Sequence, residues 1–456
     1  MIRLQITDNQ NKDYAVPICN CAVGKEDKEE FELNKDKVRS DLQEIANVKI
    51  GKKTEGNPNL LVFPNCLDAN GDKIGEQSII GLSDDNKIST GNIMGFVGVN
   101  QTQIDIRSRF AQTDGNDYFL HYMLQKVFAI NLFDLKHDTS AERIFDFLFY
   151  LFPHFLRKAV AQGVFKKYRR FEHNDANIRG PIDVSRHIRQ NIPFRGTVAY
   201  TTREHTYDNE LTQLVRHTIE FIRGKEQGQA ILNNDADTKT AVSQIVMATP
   251  TYNARERAKI VSQNLRPVRH PYFSAYTDLQ RLCLQILRHE ELKYGRQKDQ
   301  IYGILFDGAW LWEEYLNMVL GNLDFKHPRN KESRGGIKMF EKPDDENFFD
   351  KNSRRLYPDF WKENFIIDAK YKRLDNGVGR EDLYQVVTYM HCMKADNGGF
   401  VYPVETESKT EKYGLAGYGG IMRLIGLQVQ HQCGTYTDYV AAMKGAEQKL
   451  KGTITK

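Results

Sequence analysis

The chain is 456 residues long, 40% hydrophobic and 11% aromatic, with a formal net charge of +4. At roughly 100–200 residues per domain, this predicts two to four domains, each able to bury an ordinary core. The balance excludes a disordered chain and a uniformly basic surface, so any contact with nucleic acid must come from local patches.

The polar start MIRLQITDNQNKDY lacks the apolar stretch of a signal peptide. No run of about 18 apolar residues could span a membrane, so the cytoplasm is the expected compartment. The six cysteines (Cys19, Cys21, Cys66, Cys283, Cys392 and Cys433) form no C-x₂-C pair. Reduced, mostly structural thiols are expected. No G-x-x-x-x-G-K-[ST] phosphate loop occurs. The glycine clusters Gly91–Gly98 and Gly414–Gly420 lack the lysine and hydroxyl at the required offsets. If the system consumes a nucleotide, another chain must hydrolyse it.

Residues 1 to about 110 read as mostly β. Apolar runs such as Leu60–Phe63 and Ile93–Val99 are separated by turn formers: Asn57-Pro58-Asn59, Asn70-Gly71-Asp72 and Asp84-Asp85-Asn86. Gln103 to Arg107 alternates polar and apolar, as a half-buried strand does. The charged segment Lys25 to Arg39 is expected as a solvated surface, either an exposed helix or a projecting arm.

Helical spacing begins near residue 115, over Tyr118–Asn131 and Ala141–Phe165. Lys166 to Arg203 then reads as irregular and basic. It holds nine lysines and arginines against three acids, a net +6 in a chain whose total is +4. Such a stretch either tracks a DNA backbone, where lysine and arginine meet phosphates without reading sequence, or is a solvated or partner-facing surface. Helices are expected again at Asn209–Arg223, around Ala241–Met247 and at Tyr276–Tyr294. A linker follows at Gly295–Gln300, then a helix at about Leu305–Leu320. The basic tail Lys444–Lys456 is expected to fray.

The chemistry-bearing segment is Leu356 to Tyr371. Two apolar runs flank a polar turn at Lys362–Asn364, which predicts a β-hairpin. Folding it brings Asp359 opposite, or one step from, Asp368, and strand alternation puts Asp368 and Lys370 on one face. Mg²⁺ takes oxygen ligands and keeps several waters, so one or two carboxylates suffice to hold it. Asp359 and Asp368 are the candidate carboxylates, with the Ala369 carbonyl the candidate third ligand. Lys370 would orient or deprotonate a water and stabilise charge developing on a phosphate. Such charges on an apolar strand are costly unless paired or metal-bound. Downstream, Gln385 and Tyr389 stand at i and i+4 on one helix face. Ordinary helix-surface polarity is the alternative for that pair.

Pro358-Asp359…Asp368-Ala369-Lys370 with Gln385-x₃-Tyr389 resembles the PD-(D/E)XK nucleases of the branch carrying a Q-x₃-Y motif. Those nucleases also place a glutamate on the helix before the first strand. Trp312-Glu313-Glu314-Tyr315 stands there, with Glu313 the first choice and Glu314 the second; a solvated acidic turn is the alternative. Further upstream, Gly95 to Val99, Ile104 to Phe110, Arg179 to Asp183 and Tyr207 to Leu211, with Gly399 to Pro403 downstream, resemble the McrC family. The first sixty residues resemble nothing recognised.

The McrC resemblance implies an α/β multidomain chain. It would have a β-rich, partner-binding domain at 1–114, a mainly helical middle domain with a basic loop at 115–295, and a PD-(D/E)XK nuclease domain at 296–456. It implies an endonuclease subunit of a modification-dependent restriction (anti-phage) system, using Mg²⁺ (or Mn²⁺) to cleave duplex DNA. The implied partner is an McrB-like AAA+ GTPase ring, or an ATPase variant, which reads the modified cytosine and whose hydrolysis the chain stimulates. Catalysis would fall to Asp359, Asp368, Lys370, Glu313 and Gln385, with metal held by Asp359, Asp368, Ala369 and Glu313. The alternatives are a non-catalytic activator of the partner and a free-standing nuclease acting on RNA or single strands.

Overall fold

The computed structural model describes residues 2–10, 12–50, 60–64, 78–112, 117–128, 141–225, 228–233, 235–293, 301–328, 336–339, 355–374, 377–407, 409–417, 419–430 and 432–455, without side chains at 141–147 and 289–293. The expected linker at Gly295–Gln300 and Cys66 lie outside these residues. The other five cysteines are free thiols. Among the described residues no helix is long and apolar enough to cross a membrane.

The chain forms two compact units, one of residues 1–137 and 297–456, the other of residues 138–296. The first unit contains two five-stranded sheets. In the first, β1 (Ile2–Thr7), β2 (Leu60–Phe63), β3 (Ile93–Val99), β4 (Thr102–Arg107) and β5 (Tyr302–Asp307) take the order β1-β4-β3-β5-β2. The outer pairs β1/β4 and β5/β2 are parallel, and the inner ones antiparallel. The apolar runs read from sequence are these strands. Gly95 makes the β3–β5 approach possible. Its φ is +127°, and a Cβ there would lie 2.1 Å from the Ile304 carbonyl oxygen.

β5 departs from the sequence-based expectation of a helix from about Leu305. All six residues of Tyr302–Asp307 are buried. A short apolar run does not by its spacing distinguish a strand from a helix. The helix starts at Gly308, where the Asp307 carboxylate accepts the Ala309 N–H at 2.9 Å. The charged segment after Lys25 also differs. It forms helices Lys25–Leu33 and Lys35–Ala46, which bury Phe31, Val38, Leu42 and Ile45 in the core under the first sheet.

The same unit continues with helices α1 (Tyr118–Phe128) and α2 (Gly308–Leu320) and a second sheet. That sheet comprises β6 (Phe360–Lys362), β7 (Phe365–Ala369), β8 (Asn397–Val404), β9 (Thr410–Gly414) and β10 (Ile421–Gln428), in the order β6-β7-β8-β10-β9. Helix α3 (Arg380–Met393) connects β7 to its parallel neighbour β8, and α4 (Tyr436–Ile454) follows β10. β7 is buried at all five positions, as a central strand covered on both faces requires. The tail expected to fray is the end of α4. Met443, Glu447, Leu450 and Ile454 are buried along it, a helical spacing that its basic composition obscures. α1 packs with α2 and α4 in this unit, whose boundaries fall at 137/138 and 296/297.

The second unit is mainly helical. Ala141–Val160, Glu210–Arg223, Ala236–Ala248 and Ala275–Lys293 are its longer helices, near the expected positions. The basic stretch within it is regular, contrary to expectation. Lys167–Asp175 pairs antiparallel with Val198–Thr206, and Val184–Gln190 is a short helix between them. Most of the first of these strands is exposed, so no apolar alternation marks it in the sequence.

Candidate active site

The β6–β7 hairpin brings the first two carboxylates together. Trp361 pairs with Ile366 and Lys362 with Phe365, leaving Glu363-Asn364 as the turn. One step further along this register sets Asp359 opposite Asp368. Both are buried, 8% and 2% exposed. The Ala369 N–H donates to Asp359 Oδ2 at 2.8 Å, and Lys370 Nζ lies 2.8 Å from Asp368 Oδ2.

The electrostatics follow from burial. Desolvation raises the Asp359 carboxyl above its ordinary pKa, and the nearby Asp368 charge adds to the rise. Desolvation also raises Asp368, opposed by Lys370. For Lys370, burial works against the ammonium, but Asp368, Asp382 and Asp359 outweigh it and hold the group more basic than an ordinary lysine. The buried Lys370 ammonium is thus paired with Asp368 and Asp382, and the Asp359 charge adds to its basicity.

α3 supplies the next contacts. Gln385 Nε2 donates to Tyr389 Oη at 2.8 Å, and that hydroxyl donates to the Tyr357 carbonyl at 3.4 Å. The i, i+4 pair thus reaches the chain two residues before Asp359. Burial, with Asp359 and Asp368 adding to it, pushes the Tyr389 phenol up to about 12. Gln385 itself is exposed, and Tyr389 is buried.

Two residues join that the sequence did not single out. Asp382, in the first turn of α3, lies 3.1 Å from Lys370 Nζ through Oδ1 and 2.5 Å from Lys372 Nζ through Oδ2. His327 Nδ1 lies 2.7 Å from the Asp359 carbonyl, and the ring stacks on Phe360 at 4.7 Å. Its Nε2 stands 3.8 Å from Glu314 Oε1. Glu314, the second choice from sequence, is therefore connected to the hairpin through His327. Glu313 is half-buried at the preceding position of α2. No spacing in the sequence marks Asp382 or His327, because both approach from elements far along the chain.

The donor set suits a hard cation. Among the described residues no three His, Cys, Asp or Glu side chains gather in metal-ligating fashion, so a closed zinc-type cage does not form there. Two buried, mutually repelling carboxylates match the smaller requirement of Mg²⁺, which retains waters.

The upstream strings serve the backbone. Asn209 caps helix Glu210–Arg223, accepting the Leu211 and Thr212 N–H groups, while Thr212 Oγ1 accepts the Asn209 N–H at 3.1 Å. Asp183 caps Val184–Gln190. Arg109 makes a two-pronged ion pair with the buried Asp8, through Nε at 3.1 Å and Nη2 at 2.5 Å.

The model of the family described as McrBC 5-methylcytosine restriction system component matches residues 88–403. None of the curated proteins compared matches the chain. Among solved structures, one similar to this chain is a refined half-complex from a tetradecameric assembly of Thermococcus gammatolerans McrB AAA+ hexamers with bound McrC, at 15% identity and TM-score 0.47, with 99% of each chain covered. Another is the cryo-EM structure of the Thermococcus gammatolerans McrBC complex, at 15% identity and TM-score 0.34, covering 72% of this chain and 89% of that one. The family model spans more than half of the chain, which therefore belongs to the family of McrBC 5-methylcytosine restriction system components.

Proposed function

We propose that this chain is the nuclease subunit of its restriction system, a PD-(D/E)XK-type endonuclease that hydrolyses duplex DNA with Mg²⁺. The observation that carries the reading is the buried Asp359–Asp368 pair facing across one hairpin with Lys370 against Asp368. Asp359 and Asp368 would hold the metal. The Ala369 carbonyl is the third candidate, since Ala369 already turns its N–H to Asp359. When bound, Mg²⁺ offsets charge building on the phosphate and makes water at the site more acidic.

Lys370, held protonated by its carboxylates, donates to the attacking water or a phosphate oxygen and stabilises the developing charge. Glu313 is the first candidate for the helix carboxylate, assisting through metal or water, with Glu314, 3.8 Å from His327, the second. Gln385 and Tyr389 fix the approach to Pro358-Asp359. The partner would be an McrB-like AAA+ ring that hydrolyses GTP or ATP and recognises modified cytosine, and the compartment the cytoplasm. The absent phosphate loop supports a division of labour between two chains.

The test is Mg²⁺-dependent cleavage of methylated and unmethylated plasmid, with and without the AAA+ partner and nucleotide, beside Asp368→Ala. Cleavage that needs partner and nucleotide and vanishes in the variant is expected. Partner hydrolysis stimulated without any cleavage would overturn the nuclease reading and leave an activator.

A further inference from the structure

Lys370 has two carboxylate partners, and they are not equivalent. Asp368 Oδ2, 2.8 Å from its ammonium, belongs to the pair that would hold the metal. Asp382 Oδ1, 3.1 Å away, comes from α3. A divalent cation bound at Asp359 and Asp368 competes with the lysine for the Asp368 oxygens, since one carboxylate has few lone pairs to share. A lysine anchored only there would be released as the site loads. Asp382 offers an anchor outside that competition.

The local structure keeps Asp382 in this role. It stands in the first turn of α3, where the unpaired N–H groups and the helix dipole favour a negative charge. Its side chain is 20% exposed, and its other oxygen is taken by Lys372 at 2.5 Å, which fixes the carboxylate plane. Gln385, one turn later on the same helix, reaches Tyr389 and through it the Tyr357 carbonyl. α3 therefore touches the hairpin from two sides.

We propose that Asp382 is a positioning residue that holds the Lys370 ammonium at the reacting phosphate while Asp368 is committed to the metal. The inference rests on the nuclease reading and specifies how its lysine stays in place. Asp382 touches neither metal nor DNA; it acts through Lys370.

The experiment compares wild type, Asp368→Ala, Asp382→Asn and Asp382→Glu, each with the AAA+ partner and nucleotide. Single-turnover cleavage at saturating Mg²⁺ is the first readout. Asp382→Asn is expected to lose about 10- to 100-fold in kcat, the scale of a misplaced catalytic group, with the KM for DNA unchanged. Asp382→Glu should recover part of the rate. The second readout needs no turnover: labelling of Lys370 by an amine-reactive reagent in the Mg²⁺-loaded protein, followed by peptide mass spectrometry. Asp382→Asn should label Lys370 several-fold faster than wild type does, whereas a merely structural loss would speed labelling at many lysines. Calorimetric Mg²⁺ affinity should stay at the wild-type value. If wild type cleaves and Asp368→Ala does not, yet Asp382→Asn keeps the wild-type rate or weakens Mg²⁺ binding, this proposal alone is overturned. If wild type itself fails to cleave, the nuclease reading falls and takes this one with it.

Discussion

His327 reaches the main chain of Asp359, with 2.7 Å between Nδ1 and the carbonyl oxygen. Because a carbonyl only accepts, Nδ1 carries the proton and donates. The ring also lies flat on Phe360, at 4.7 Å and 19°. A ring so placed fixes the backbone just where the hairpin presents its first carboxylate. His327→Phe keeps the stacking and loses the donor, worth about 1 kcal/mol. Cleavage by His327→Phe should fall about tenfold, the scale of a group displaced by less than an ångström, with thermal stability close to wild type. Plasmid cleavage at wild-type rate would show that Asp359 does not need this bond.

The Asp359–Asp368 pair carries a cost in the absence of metal. Two buried carboxylates face each other; burial raises both, and the Asp368 charge adds to the rise of Asp359. Asp359→Asn removes one charge, and its amide oxygen can still accept the Ala369 N–H. We expect the variant to lose cleavage entirely and to melt about 2 °C or more higher than wild type in EDTA, as sites that trade stability for function do. A lower melting temperature in EDTA would mean that the pair is not repulsive.

This pair is legible in the sequence because a hairpin is local. Apolar runs of fixed period on both sides of a polar turn set the register, and the register sets Asp359 against Asp368. Gln385 and Tyr389 are legible for the same reason, one helical turn apart. His327 and Asp382 are not, because their partners lie 32 and 12 residues away and only tertiary folding supplies them. Glu313 and Glu314 are both half-buried on α2, so helix phase alone could not choose between them. The basic hairpin of the second unit is illegible for another reason. With most of one strand exposed, there is no apolar alternation to read.

Helix α4 is fixed to α1 and α2 through one carboxylate. Glu447 Oε1 accepts from Tyr122 Oη at 2.7 Å and Tyr315 Oη at 2.9 Å, and Oε2 from Lys126 Nζ at 3.0 Å. Both tyrosines are fully buried. Glu447→Ala leaves two hydroxyls without this acceptor in the core and should cost about 3 kcal/mol. Glu447→Gln keeps an acceptor and loses only the charge, so it should cost less. Urea midpoints of the two variants give the ordering; equal losses would mean that the ion pair with Lys126, not the tyrosine bonds, holds the helix.

The second unit contains a histidine that acid should turn against the fold. His217 is 3% exposed, and its Nε2 has no hydrogen-bond partner among the described residues. The ring lies 4.8 Å from that of Tyr252. Burial pushes its pKa down to about 4, with Arg257 and Arg216 adding to the fall and Glu256 and Glu220 opposing it. The folded state therefore prefers the neutral ring. Between the ordinary value of about 6.5 and the folded value, the unfolded chain binds the extra proton, so stability rises with pH across that window. The contribution is complete above the ordinary value and is lost as the pH falls toward about 4. It amounts to about 3 kcal/mol, of which about 2 is lost by about pH 5. His217→Phe keeps an aromatic ring against Tyr252 and cannot protonate. Urea unfolding near pH 7.5 and pH 5 should show wild type losing about 2 kcal/mol more than the variant between the two conditions. Parallel losses in both proteins would assign the acid sensitivity to other groups.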